Sequence, residues 1–142
     1  MTTWLTPHFT LDEMIATQHR QFENWPPPKV QTSLRETARQ METVRRLLGD
    51  RPIVISSGYR SPEVNRAVGG VVNSAHLQGL AVDFNCYAYG TPLEVCQAIA
   101  KSGLGFDQLI EEGTWSHISF DPRMRGQVLT KAPRAFEPGL AA

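Results

Sequence analysis

The chain lacks an excess of either charge, a cysteine framework and any long apolar run. Lys plus Arg number 14 and Asp plus Glu number 14, for a formal net charge of zero. A generic nucleic-acid binder carries a basic excess, so that partner class is not expected. An anionic membrane surface is no better served by this balance. The two cysteines, Cys86 and Cys96, are too few for a disulfide scaffold. Both fall in stretches that read as core and are expected as buried thiols. No apolar run approaches the ~18 residues that suggest a membrane span. The segment Met1 to Pro7 has neither the basic start nor the apolar stretch of a secretory signal. The expectation is a chain made in the cytoplasm, which would need some other route to work outside. No internal repeat is visible. What is present is 142 residues, 41% of them apolar. Chains of this size form one domain and bury about two thirds of their unfolded surface.

Punctuation predicts the elements. Thr10 followed by Glu13 is a capping box, with Phe9 and Met14 placed to staple it, so a short helix starts after Thr10. Gln18 to Asn24 is polar and reads as loop. After Pro26-Pro27-Pro28, apolar residues recur at Val30, Leu34, Ala38, Met41, Val44 and Leu48. Steps of three and four mark a helix with one buried stripe, stopped at Gly49. Ile53-Val54-Ile55 reads as a buried strand. Ser61-Pro62 starts a short helix to about Val68, and Leu80 to Phe84 reads as strand. Thr91 and Glu94 form a second capping box, opening a helix to about Lys101. Phe106 to Glu112 and Trp115 to Phe120 read as strands joined by a tight turn at Gly113-Thr114. Residues 121–142 form an extension, either an edge strand near Gln127 to Thr130 or a surface wrap. The sum is a single α+β domain with its core at about 5–120, the N-terminal helices packed on a small, mainly antiparallel sheet.

Four histidines occur. His8 and His19 have no acidic or histidine neighbour at useful spacing and read as packed or exposed residues. His76 lies in a loop just before Gly79 and the apolar strand that contains Asp83. A carboxylate flanked by Val82 and Phe84 must be paired, hydrogen-bonded or bound to metal. His117 poses the same question in a second β run. Two imidazoles and one carboxylate suit a four-coordinate zinc with one open position, although iron(II) uses the same donor set. Such a centre needs a general base. If Gly113-Thr114 is a two-residue loop, Glu112 lies opposite Trp115 and shares the His117 face, whereas Glu111 points away. A three-residue loop would reverse that choice. Arg60, after the first strand of the pattern, can fork onto a carboxylate or a developing oxyanion. Ser74 can contact substrate or shape its loop.

Four segments occur in order: Ser57-Gly58-Tyr59-Arg60-Ser61-Pro62, Asn65-Arg66-Ala67-Val68-Gly69-Gly70, Ser74-x-His76-x-x-Gly79-x-Ala81-x-Asp83 and Trp115-x-His117. Together they resemble the zinc D-Ala-D-Ala carboxypeptidase family, with its hedgehog/DD-peptidase fold, and its short branch common in phages and prophages. The resemblance spans about Leu5 to Phe120. It implies a zinc metallopeptidase that hydrolyses peptide bonds in peptidoglycan stem peptides or cross-links, as a D,D-carboxypeptidase or endopeptidase. It implies one zinc ion per chain on His76, Asp83 and His117, with Arg60 stabilising the scissile carbonyl or carboxylate. Ser74, Arg60 and Trp115 are then the substrate-contacting set. Much of the family has an acid in Glu-x-x-His or Asp-x-x-His. Here that position is Thr114, and the role falls to Glu112. A monomer acting on the cell wall after release, in a phage or prophage setting, follows as the expected context, with neither nucleic acid nor membrane as partner. The alternative is a non-catalytic zinc protein of the same fold that binds cell wall or serves as a phage structural part. An iron oxygenase would need a jelly roll of many strands, which the long helix from Lys29 argues against.

Overall fold

Capping chemistry and proline place the helices in the computed structural model, which describes residues 2–131 and 136–140. A short antiparallel hairpin of β1 (Trp4–Thr6) and β2 (Phe9–Thr10) leads in. Thr10 Oγ1 then accepts the Glu13 N–H while Glu13 accepts the Thr10 N–H, opening α1 (Leu11–Ile15). Pro28 occupies the first turn of α2 (Pro28–Leu47). Ser61 caps α3 (Pro62–Ala67), and the Thr91/Glu94 box opens α4 (Pro92–Lys101). The hairpin was not expected from sequence, because strands this short carry no periodicity.

The remaining strands are β3 (Val54–Ser57), β4 (Ala81–Asn85), β5 (Gln108–Glu111), β6 (Ser116–Ser119), β7 (Gln127–Lys131) and β8 (Phe136–Pro138). They form one sheet in the order β3-β4-β6-β5-β7-β8. All neighbours are antiparallel except β5 and β7, which run parallel. The architecture is thus the expected α+β one, with a mainly antiparallel sheet.

Alternation along the strands divides the sheet. Val82 and Phe84 of β4, Ile118 of β6 and Leu109 of β5 turn to one face. There they meet the α2 stripe of Leu34, Ala38, Met41 and Val44, together with Val95 and Ile99 of α4. The opposite face carries Asp83, His117 and Ile110 in register across three strands. The core holds the sheet from behind and leaves this second face open for chemistry.

Two strand expectations need correction. Ile53-Val54-Ile55 does not form a fully buried strand: β3 is at the sheet edge, and Val54 is 50% exposed. A β-branched run satisfies a half-covered edge as well as a core position. The strand near Gln127 exists, but it is not an edge, since β8 covers its outer side. Among the described residues, no helix is long and apolar enough to cross a membrane.

Candidate metal centre

Asp83 occupies the middle of β4, with His117 directly opposite it in β6. His76 arrives from a single 3₁₀ turn, Ala75–Gln78, capped by the Ser74 hydroxyl, which accepts the His76 N–H at 3.2 Å. The turn ends at Gly79, whose φ of +71° is in the left-handed region that favours glycine. The Gly79 carbonyl accepts the buried Thr37 hydroxyl of α2 at 2.7 Å, tying the turn to the long helix. One donor atom from each of His76, Asp83 and His117 lies within 4.8 Å of the others.

The tautomer of His76 follows from its neighbours. Its Nδ1–H donates to the Gly58 carbonyl at 2.6 Å. In the neutral ring, Nε2 then carries the lone pair, 3.3 Å from Asp83 Oδ1. Burial favours that neutral form and pushes the His76 pKa down. His117 Nδ1 lies 2.9 Å from the same Asp83 oxygen. Burial alone would raise the Asp83 pKa, but the hydrogen bond with His117 and the close approach of the His76 ring outweigh it and hold the carboxyl well below the usual range. Two imidazoles and an ionised carboxylate gathered at one point fit zinc in composition.

The support behind His76 comes from the start of the chain. A Cβ on Gly58 would run into the Met14 carbonyl oxygen, so only glycine lets the two segments approach. That same carbonyl accepts the Tyr59 N–H at 2.7 Å. Asn24 locks the arrangement: its side-chain amide donates to the carbonyls of Ile15 and Tyr59, and its oxygen accepts the Ser61 N–H. Nothing in the loop sequence Gln18 to Asn24 advertised this role.

Arg60 extends from the same bend. Its Nη2 lies 3.3 Å from Asp83 Oδ2, its Nε donates to Ser57 Oγ and its Nη1 to Asn65 Oδ1. The guanidinium is therefore held on three sides at the edge of the donor cluster.

The turn at Gly113-Thr114 is a two-residue loop: the Glu112 N–H donates to the Trp115 carbonyl at 3.0 Å. Glu112 accordingly shares the face of His117. Burial, then the Asp83 charge, push its pKa up, with His117 and Lys131 pulling the other way. Glu111 pairs with Ser116 on the other face and accepts the Gly113 N–H at 3.0 Å.

A cleft of about 670 Å³ opens over this face. Arg60, Ser74, His76, Asp83, Glu112, Trp115 and His117 all line it. Trp115 Nε1 is shielded from solvent and makes no hydrogen bond of regular geometry, although its proximity favours the Glu112 carboxylate. Lys131 of β7, and Asp107, Arg123 and Arg125, also line the cleft. None of the four is legible as a site residue from sequence: no motif links the extension that carries Arg123, Arg125 and Lys131 to the site, and Asp107 has no partner at useful spacing.

Three other residues complete the comparison with the sequence. His8 does have an acidic partner: its Nδ1 is 2.7 Å from Glu42 Oε1, on α2. The separation of 34 positions hid that pair from a search by spacing. Cys86 and Cys96 are free and buried, as expected. Burial pushes the Cys96 thiol up to about 11, so it is inert.

Comparison with known proteins bears on the same residues. The family model described as Peptidase M15 matches residues 7–119, a span that includes all three donors and Glu112. The chain is similar to the zinc D-Ala-D-Ala carboxypeptidase of Streptomyces albus G, at 32% identity over 78 residues. That match covers 55% of this chain and 29% of the relative, so the chain corresponds to under a third of the other protein. With the family match running through most of the chain and across the whole donor cluster, this protein belongs to the Peptidase M15 family.

Proposed function

We propose that the protein is a zinc-dependent peptidase that cleaves peptide bonds in peptidoglycan stem peptides or cross-links, as a D,D-carboxypeptidase or endopeptidase. It would act on the cell wall after release from the cell that makes it. The observation that carries the reading is the convergence of His76, Asp83 and His117 within 4.8 Å on the floor of a cleft that Glu112 also lines.

His76 through Nε2, His117 through Nδ1 and Asp83 through its carboxylate would hold one zinc ion. Zinc in such a site supplies a Lewis acid that lowers the pKa of a water to about 7. Gly58 fixes the tautomer and orientation of His76 before any ion binds. Glu112 takes the proton of the attacking water and later returns it to the leaving amine. Its raised pKa brings it nearer the operating pH of such a base. Arg60 offers its guanidinium to the oxygen of the scissile carbonyl as charge develops there. Ser74 and Trp115 contact the peptide from the cleft walls.

The test is digestion of purified peptidoglycan followed by mass spectrometry of the fragments, with a chelated control. The expected result is chelator-sensitive release of new amines, whose identity fixes the bond cut. Glu112→Gln should abolish hydrolysis, a loss of at least about 10²-fold, while zinc stays bound. Full turnover by that variant would remove Glu112 from the mechanism. Stoichiometric zinc without released amines would instead favour a wall-binding role.

A further inference from the structure

The family match ends at residue 119, yet β7 brings a cation into the cleft. Lys131 is two positions beyond Leu129, which pairs with Ile110, so Lys131 shares the face of the donor cluster. Its ammonium lies 5.5 Å from the centre of the Trp115 ring, a cation–π contact that holds the side chain over the cleft wall. The other cations lining the cleft are engaged. Arg60 pairs with Asp83, Arg125 forks onto Asp107, and Arg123 pairs with Asp121. Lys131 has no carboxylate at ion-pair distance among the described residues. The acid that feels its charge is Glu112. Beside it, the Trp115 ring backs the ammonium, with its buried N–H next to Glu112. An ammonium without a carboxylate partner among the described residues thus sits next to the base, braced by the Trp115 ring.

We propose that Lys131, with Trp115, forms a subsite for a free carboxylate on the leaving-group residue of the substrate. This rests on the zinc-peptidase reading above. Glu112 returns its proton to the leaving nitrogen, so that nitrogen stands beside Glu112 when the bond breaks. The α-carboxylate of the same residue is only two bonds further on, within the reach of a long cationic side chain. A carboxylate placed there gains a charge-assisted contact, and an amide or a continuing chain does not. The subsite selects a terminal residue over an internal one.

The experiment uses the full chain loaded with zinc and two probes, an acetylated tripeptide ending in D-Ala-D-Ala as the free acid and the same peptide as its C-terminal amide. The intact chain should prefer the acid by about tenfold in kcat/KM, the equivalent of one modest charge contact. Lys131→Met should remove the preference, raising KM for the acid relative to KM for the amide, so that the acid-to-amide ratio falls to about one. Lys131→Arg should retain most of it. Equal handling of acid and amide by the intact chain, or a preference that survives in Lys131→Met, overturns the proposal. Failure to hydrolyse either peptide counts against the peptidase reading instead. Calorimetry then decides the subsite: tighter binding of the acid, lost in Lys131→Met, supports it, and equal binding of acid and amide overturns it.

Discussion

In the proposed mechanism Arg60 and Glu112 divide the chemistry by sign, and each is placed by a local rule. Arg60 follows β3 and is braced by Ser57, Asn65 and Asp83. Lysine has a single ammonium and cannot reproduce that fork. Arg60→Lys should therefore lower kcat by about 10²-fold with zinc content unchanged, read by steady-state kinetics beside metal analysis. An unchanged kcat would confine Arg60 to holding Asp83. Glu112 was legible from sequence because a two-residue turn fixes strand parity, and the observed Glu112–Trp115 pairing has that parity. Lys131 was not legible, since a parallel pairing with β5 links residues that no spacing rule connects. The His8–Glu42 pair was missed for the same reason.

At the scale of elements, signals with a local cause read well and signals made by close approach did not. The α2 stripe and both capping boxes predict helices within a residue or two of those observed. The short turn that presents His76 depends on three distant supports: the Thr37 hydroxyl, the Gly58 carbonyl and the Met14 carbonyl behind it. In the sequence, Gly58 is legible only as part of a motif, with no physical reason attached. Packing against Met14 supplies that reason. Gly58→Ala should push the bend off Met14 and misalign the carbonyl that orients His76. Zinc affinity should fall by about 10- to 100-fold, measured by competition with a chelator of known strength, while far-ultraviolet circular dichroism stays the same. Undiminished affinity would mean that the bend absorbs the extra carbon without moving the carbonyl.

Across the whole molecule, one ion-pair cluster joins the extension to the sheet. Asp107 is 1% exposed and accepts the Arg125 backbone N–H and two guanidinium N–H groups, at 2.8–3.0 Å. Those hydrogen bonds from Arg125 lead in pulling the Asp107 pKa below its ordinary value. A folded-state pKa below the unfolded one adds stability that is present above the unfolded value and fades as pH falls through the folded one. Asp107→Asn should cost about 2 kcal/mol at pH 7, and the gap to the parent chain should narrow below pH ~4. Denaturant titrations at pH 7 and pH 3 measure both. A gap of the same size at both would assign the loss to packing. The amino-terminal end has an influence of a different kind. Met14 belongs to no wall of the cleft, yet its carbonyl backs the Gly58–Tyr59 peptide on which His76 is aimed. The opening segment serves as a jig, setting the height of an imidazole before any cation arrives. A protease nick between Thr17 and Trp25 would free that jig from the loop it steadies. The sheet would persist, but its coordination pocket would be out of true.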